Sequence, residues 1–283
     1  MARALVLGSG AALSAKGRFN TTLAILEGPR TILLDCAQPC TELLYHHGVD
    51  AASVDTVVLA HMHADHVTGL GQVAHMKHLL FDPKPPRIYL NRLDPWYKDQ
   101  LRHPPKDQWD RVKESLTVYV PAGVEHAIEE YLRALYMRRE VFTKFALRVV
   151  PYRIGEIHKD ETFTITAYAN AHIRSYYPEL RGTDAMVDSY SLVVEVGGKK
   201  CLYSSDIASL SEIERLARQA DVVFVEGAHP TPKDIVDFAK RLDLKRVFVK
   251  HIHAPHEEGF ANMKAEMARA NVTLSYDGLE IEL

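Results

Sequence analysis

The stretch VVLAHMHADHVTGL, residues 57–70, constrains the chain more than any other. An apolar run that reads as a buried strand leads directly into His61, His63, Asp65 and His66. Alternate residues of a strand face one side, so His61 and His63 present their imidazoles together, and Asp65 and His66 follow at the turn beyond. Such a set suits a metal ion. With 15 histidines in the chain, the pattern H-x-H-x-D-H arises by chance in roughly three such sequences per thousand, which favours chemistry over a cluster of solvated polar residues. Four residues do not fill two coordination shells, so further ligands are expected downstream, each at a strand end on the same rim. His172 ends FTITAYANAH, Asp206 follows KCLYSS, and His251 ends KRVFVKH. Singly, each reads as a capping or surface residue; the repeated order of strand then ligand favours the metal reading.

The rest of the chain is ordinary in composition. Its 283 residues, 47% hydrophobic and 25% charged, suit one large domain or two small ones, and one domain over 1–283 is the expectation. No apolar run approaches the roughly 20 residues that span a bilayer, and ALVLG near the start is too short for a signal-peptide core, so a cytoplasmic protein without membrane contact is expected. Cys36, Cys40 and Cys201 suggest buried or idle thiols. A net charge of -3 gives no general attraction to nucleic acid. Arg138, Arg139, Lys144 and Arg148 form a local basic face or a merely solvated one.

Short β-type runs come first, at 4–8, 22–27, 31–36 and 56–61, and read as strands of one sheet. Apolar residues at helical spacing follow over 121–136, then β-type residues over 163–172. SLVVEVGGKKCLYSSD reads as a hairpin turning at Gly197 and Gly198. Helix and strand then alternate to the end, which argues for helices packed on a sheet. Thr231, Pro232 and Asp234 make a helix start. Residues 91–115 are polar and proline-containing, with Trp96, Tyr97 and Trp109 interspersed. They read as an inserted lid or edge segment, or as a surface excursion anchored by its aromatics.

The order H-x-H-x-D-H, a later His, an Asp after a strand and a final His after another strand resembles the metallo-β-lactamase superfamily. Within it, the ribonuclease Z and phosphodiesterase branch is the most similar. LVLGSGAALSAKGRFNTTLAI resembles its opening Gly-rich loop, DSYSLVVEVGGKKCLYSSD its bridging-aspartate segment, and LKRVFVKHIHAPH the segment of its last ligand. The resemblance runs over nearly the whole chain and implies a four-layer αββα sandwich, an α/β fold with the metals at one edge of two sheets. It implies that His61, His63 and His172 hold one metal, Asp65, His66 and His251 the other, and that Asp206 bridges them. Two divalent ions are implied, zinc by preference for an all-His/Asp set, with manganese or iron as alternatives. The implied activity is hydrolysis of a phosphodiester by a metal-bridging hydroxide.

VEGAHPTPKDIVDFAK (225–240) resembles the family segment whose His supplies a proton to the leaving group. His229 takes that place, with Glu226 to orient it, and Asp65 joins these two among the implied catalytic residues. Pro230 stands where the family has Ser, and the loop between Glu226 and His229 is shorter than in ribonuclease Z. His229 as a simple helix cap is the alternative. No long Gly/Pro-rich arm that would grip transfer RNA is present, so a small nucleotide is as good a substrate as RNA. Arg174, Tyr176, Tyr177 and Arg181, in the loop after His172, offer cationic and stacking contacts to a nucleotide or act as packing anchors. His253 and His256 stand close behind His251. Hydrolysis of sulfate esters or lactones, and a non-catalytic nucleic-acid-binding role, are the competing functions. A homodimer is the candidate assembly.

Overall fold

The computed structural model describes residues 1–81, 115–137, 145–180, 183 and 187–283. The expected lid at 91–115 therefore lies outside the described residues except for Ser115, as do Arg138, Arg139, Lys144 and Arg181. Two seven-stranded sheets carry the fold. The first contains β1 (Arg3–Gly8), β2 (Thr22–Glu27), β3 (Arg30–Leu34), β4 (Val54–Val58), β5 (Ser115–Pro121) and β6 (Ala146–Tyr152), in that spatial order. The second contains β7 (Gly155–Lys159), β8 (Phe163–Asn170), β9 (Ser189–Val196), β10 (Lys199–Tyr203), β11 (Val222–Gly227), β12 (Val247–Ile252) and β13 (Val272–Leu274), likewise in order. The closing strand β14 (Leu279–Glu282) returns to the first sheet and pairs antiparallel with β1. Each sheet is antiparallel on one side and parallel on the other.

The strands are apolar almost throughout because both faces are covered. In β1, Ala4 and Val6 face the second sheet, while Leu5 and Leu7 face the helices on the other side. In β11, Val222 and Phe224 point between the sheets and Val223 and Val225 outward. The period of two along each strand thus feeds three cores. One lies between the sheets, one under helices Cys40–His46, Leu70–Phe81 and Glu125–Ala134, and one under helices Pro232–Arg241, Glu257–Asn262 and Lys264–Arg269. The result is the expected four-layer αββα sandwich.

Local chemistry fixes the elements. Helix Pro232–Arg241 starts as its sequence indicates: Thr231 Oγ1 accepts the Asp234 N–H at 3.2 Å, and Asp234 Oδ2 accepts the Thr231 N–H at 3.2 Å. Gly197 and Gly198, at φ +57° and +75°, close the β9–β10 hairpin in the twist-compatible turn. The Gly-rich loop after β1 straps the two sheets together: Ala11 N–H donates to Ile252 O at 3.1 Å and Ile252 N–H to Ser9 O at 2.8 Å. A side chain at Gly8 would put its Cβ 1.7 Å from the Asn20 carbonyl oxygen. Strands β6, β7 and β14 have no counterpart in the sequence reading. Among the described residues, no helix is long and apolar enough to cross a membrane.

Candidate metal centre

The histidine-rich stretch lies in the loop that leaves β4. The strand ends at Val58, three residues before His61. His63 keeps an extended backbone (φ -64°, ψ 145°) and precedes the short helix Ala64–Val67, which carries Asp65 and His66. His61 and His63 thus share one side, as expected, although outside the strand. His172 differs from expectation too: β8 ends at Asn170, and His172 begins helix His172–Tyr176. Asp206 comes three residues after β10, and His251 is the penultimate residue of β12. Asp35, Ser205 and His251, all beside this centre, adopt left-handed φ of +58°, +51° and +53°, each costing about 1–3 kcal/mol that the surrounding structure must offset.

All seven expected ligands meet at one rim of the sandwich. The candidate donor atoms of His61, His63, His172 and Asp206 lie within 4.8 Å of one another, as do those of Asp65, His66 and His251. Asp206 divides its oxygens between the groups. Oδ2 lies 3.9 Å from His61 Nε2 and 3.6 Å from His172 Nε2. Oδ1 lies 3.4 Å from His66 Nε2 and 3.2 Å from His251 Nδ1. His251 Nε2 is 3.1 Å from Asp65 Oδ2 and 3.2 Å from His66 Nε2. Despite this crowding, the buried atoms His61 Nε2, Asp206 Oδ1 and His251 Nδ1 make no hydrogen bond among the described residues. Buried polar atoms are rarely left so, and imidazole and carboxylate donors gathered within 4.8 Å of one another fit a cation.

The electrostatics agree. Burial lowers His61, His63 and His172, the last to about 4, so each is a neutral imidazole at pH 7. Burial also opposes charge on His66 and His251, but the carboxylates, Asp206 foremost, outweigh it and raise both, His251 to about 9. A divalent ion would take the place of those protons. Burial pushes Asp206 up, yet His251 and His66 outweigh it and hold its carboxyl well below the usual range. The donor set, imidazole and carboxylate without thiolate, fits a divalent metal.

Glu226 and His229 adjoin the rim. Glu226, buried at the end of β11, accepts the backbone N–H groups of Ala228 (2.8 Å) and His229 (2.9 Å), and the His229 Nδ1–H at 2.8 Å. The His229 ring lies 4.7 Å from that of His172 and 4.6 Å from that of Tyr176. Burial lowers the imidazole's pKa, but the bond to Glu226 outweighs it and raises it. Thr231, not His229, caps the helix that follows, so the helix-cap alternative for His229 is set aside. The Tyr177 ring is 5.6 Å from that of His63. His256 donates Nδ1–H to the Gly227 carbonyl at 2.9 Å, and Arg148 is exposed.

Sequence reasoning missed three buried residues behind the centre. Asp35, just past β3, receives His66 Nδ1 at 2.7 Å and the Ala60 N–H at 2.8 Å. Tyr203 donates its hydroxyl to Asp35, and Lys250 packs over the Tyr203 ring. An acidic residue ending the apolar strand TILLD was the available signal for Asp35. The cysteines are free and buried.

The metallo-β-lactamase fold protein YhfI from Bacillus subtilis has the same architecture, with a TM-score of 0.69 at 16% identity, covering 100% of this chain and 99% of that one. Fold and site together define a metal-dependent hydrolase of the metallo-β-lactamase fold. Ribonuclease Z of Bacillus subtilis (strain 168) is 21% identical over 336 residues, 99% of this chain and 98% of that protein. The Anti-Pycsar protein Apyc1 of Bacillus phage 010DV004 is 24% identical over 273 residues, 93% of each. The model of the family described as Anti-Pycsar protein Apyc1 matches residues 2–235, and the chain belongs to that family.

Proposed function

We propose that this chain is a two-metal phosphodiesterase whose substrate is a cyclic nucleotide. The division of the Asp206 oxygens between the two ligand groups carries the dinuclear part of the reading, because a single ion would need only one of them. Family membership favours a cyclic nucleotide over RNA. His61, His63 and His172 would hold one ion and Asp65, His66 and His251 the other, with Asp206 shared between the two groups; zinc suits this donor set best. When bound, two such ions make hydroxide available near neutral pH and draw charge from the phosphoryl oxygens.

The protein supplies the rest. Glu226 pins Nδ1–H of His229, which leaves Nε2 as the atom that holds the mobile proton. As the bond from phosphorus to the leaving oxygen breaks, that proton moves from His229 to the oxygen. Tyr176 and Tyr177 flank His229 and His63 and offer rings to a nucleobase. One chain carries every residue named. A homodimer is an additional proposal, checked by light scattering.

Elemental analysis combined with turnover of 3′,5′-cyclic nucleotides, bis(p-nitrophenyl) phosphate, RNA, sulfate esters and lactones tests the reading. Two zinc ions per chain and turnover of the cyclic nucleotides are expected. Full activity with one ion, or turnover confined to sulfate esters or lactones, would overturn it.

A further inference from the structure

A second set of buried polar residues leads from His66 into the space between the sheets. Asp35 Oδ2 contacts both His66 Nδ1, at 2.7 Å, and the Tyr203 hydroxyl. The Tyr203 hydroxyl oxygen also accepts from Lys250 Nζ at 3.5 Å. Lys250 Nζ donates to Thr21 Oγ1 and sits 4.5 Å from the centre of the Tyr203 ring. None of these five residues is more than 2% exposed. A lysine this deep costs several kcal/mol in desolvation, a cost evolution rarely meets for packing alone when methionine fills the same volume.

What the lysine provides is an anchor for two hydroxyls at once. An ammonium has three donors and no acceptor, whereas a hydroxyl both donates and accepts. Thr21 Oγ1 and the Tyr203 oxygen therefore both accept from Lys250 Nζ. Tyr203, already accepting, sends its proton to Asp35. The Asp35 carboxylate only accepts, so His66 must donate to it through Nδ1. The His66 lone pair is thereby placed on Nε2, the atom 3.4 Å from Asp206 Oδ1 and 3.2 Å from His251 Nε2.

We infer that Lys250 is a positioning residue for the metal centre: its buried ammonium, donating to Thr21 and to the Tyr203 hydroxyl, holds Tyr203 against Asp35, and the Asp35 carboxylate so held orients His66 with Nε2 toward a divalent cation. This rests on the reading of His66 as a ligand. Partners behind a ligating histidine commonly govern affinity by about 10- to 100-fold.

The test is a double-mutant cycle on the full chain with Lys250→Met and Tyr203→Phe. Zinc affinity is read by competition with a chromophoric chelator, and ligand geometry by the visible spectrum of the cobalt form. Each single variant should bind zinc about 10- to 100-fold more weakly and shift the cobalt bands. The double variant should bind little worse than the weaker single, because both break one chain. Wild-type affinity in Lys250→Met, or losses that multiply in the double variant, would overturn the inference. If Lys250→Met does not fold, the isosteric Thr21→Val takes its place in the cycle. His66→Ala separates the two readings. Full metal retention there refutes the ligand assignment itself, whereas metal loss there beside an unaffected Lys250→Met refutes only the role of Lys250.

Discussion

Removing the His229 side chain should separate two substrates that the metal centre alone would treat alike. The Glu226 carboxylate is fixed by the N–H groups of Ala228 and His229 at 2.8 and 2.9 Å, and it fixes the imidazole through Nδ1 at 2.8 Å. The ring therefore has one free nitrogen and little freedom to turn. An alkoxide leaving a phosphodiester needs a proton, and a positioned acid contributes about 10² to 10⁴ in rate, equivalent to about 2.7–5.5 kcal/mol. Nitrophenolate leaves without one. His229→Ala should accordingly lose about two to four decades in kcat on a ribose or alkyl phosphodiester and stay near wild type on bis(p-nitrophenyl) phosphate, with both metals retained. Glu226→Gln should show the same pattern and also lose stability: its amide oxygen can keep the two backbone N–H groups that Oε2 accepts, but its NH2 then replaces the Oε1 that accepts from His229 Nδ1 and the Ile207 N–H, and buried unpaired donors cost about 1–3 kcal/mol. Steady-state kinetics on the two substrates, with metal content measured on the same samples, decide the matter. Equal losses on both substrates with the metals in place would refute a proton-donor role, and loss of metal would show the ligand set to be wrong.

Asp206→Ala should lose bound metal and activity while its far-ultraviolet circular dichroism stays native; two fully occupied sites in this variant would exclude the bridging role. Tyr176→Ala should raise KM for a nucleotide by about 1–3 kcal/mol of lost stacking with little change on a nitrophenyl ester, as read from kinetics on both. Gly8→Ala must displace the Asn20 carbonyl and should lower Tm by several degrees in a thermal melt, because overpacking costs about 1–3 kcal/mol. Asp160 titrates away from the centre. Burial raises its carboxyl, but the Phe163 and Thr162 N–H groups with Arg30 and His158 hold it well below the usual range. Its stabilising contribution is then present above the unfolded pKa of about 3.9 and fades as pH falls below it. The stability gap between wild type and Asp160→Asn in urea melts should be open at pH 7 and narrow below about pH 4.

Much of the centre was legible because its ligands cluster in sequence or follow apolar runs. The sandwich was legible in strands such as ALVLG and DVVFVE, whose unbroken apolar character reflects burial on both faces. What supports His66 was not. Tyr203 meets Asp35 across 168 positions, and Lys250 meets Thr21 across 229. In FVKH a lysine reads as an exposed strand residue, because no local pattern indicates that both sheets will close over it. The left-handed backbone at His251 likewise defeats any argument from strand parity. Strands β6 and β7 stayed hidden because their many half-exposed residues blur the alternation.

The return of β14 to β1 sets how late the first sheet is closed during synthesis on the ribosome. Arg3 in β1 bonds to Glu280 in β14, 277 positions later, while β1 finds its other neighbour, β2, within the first 27 residues. At about 5–20 residues per second, the outer edge of β1 stays unpaired for roughly 15 s to 1 min of synthesis. An unpaired apolar edge is a template for pairing with other chains. Strand β14 therefore serves as a late closure, and losing it should show first as aggregation of the nascent protein.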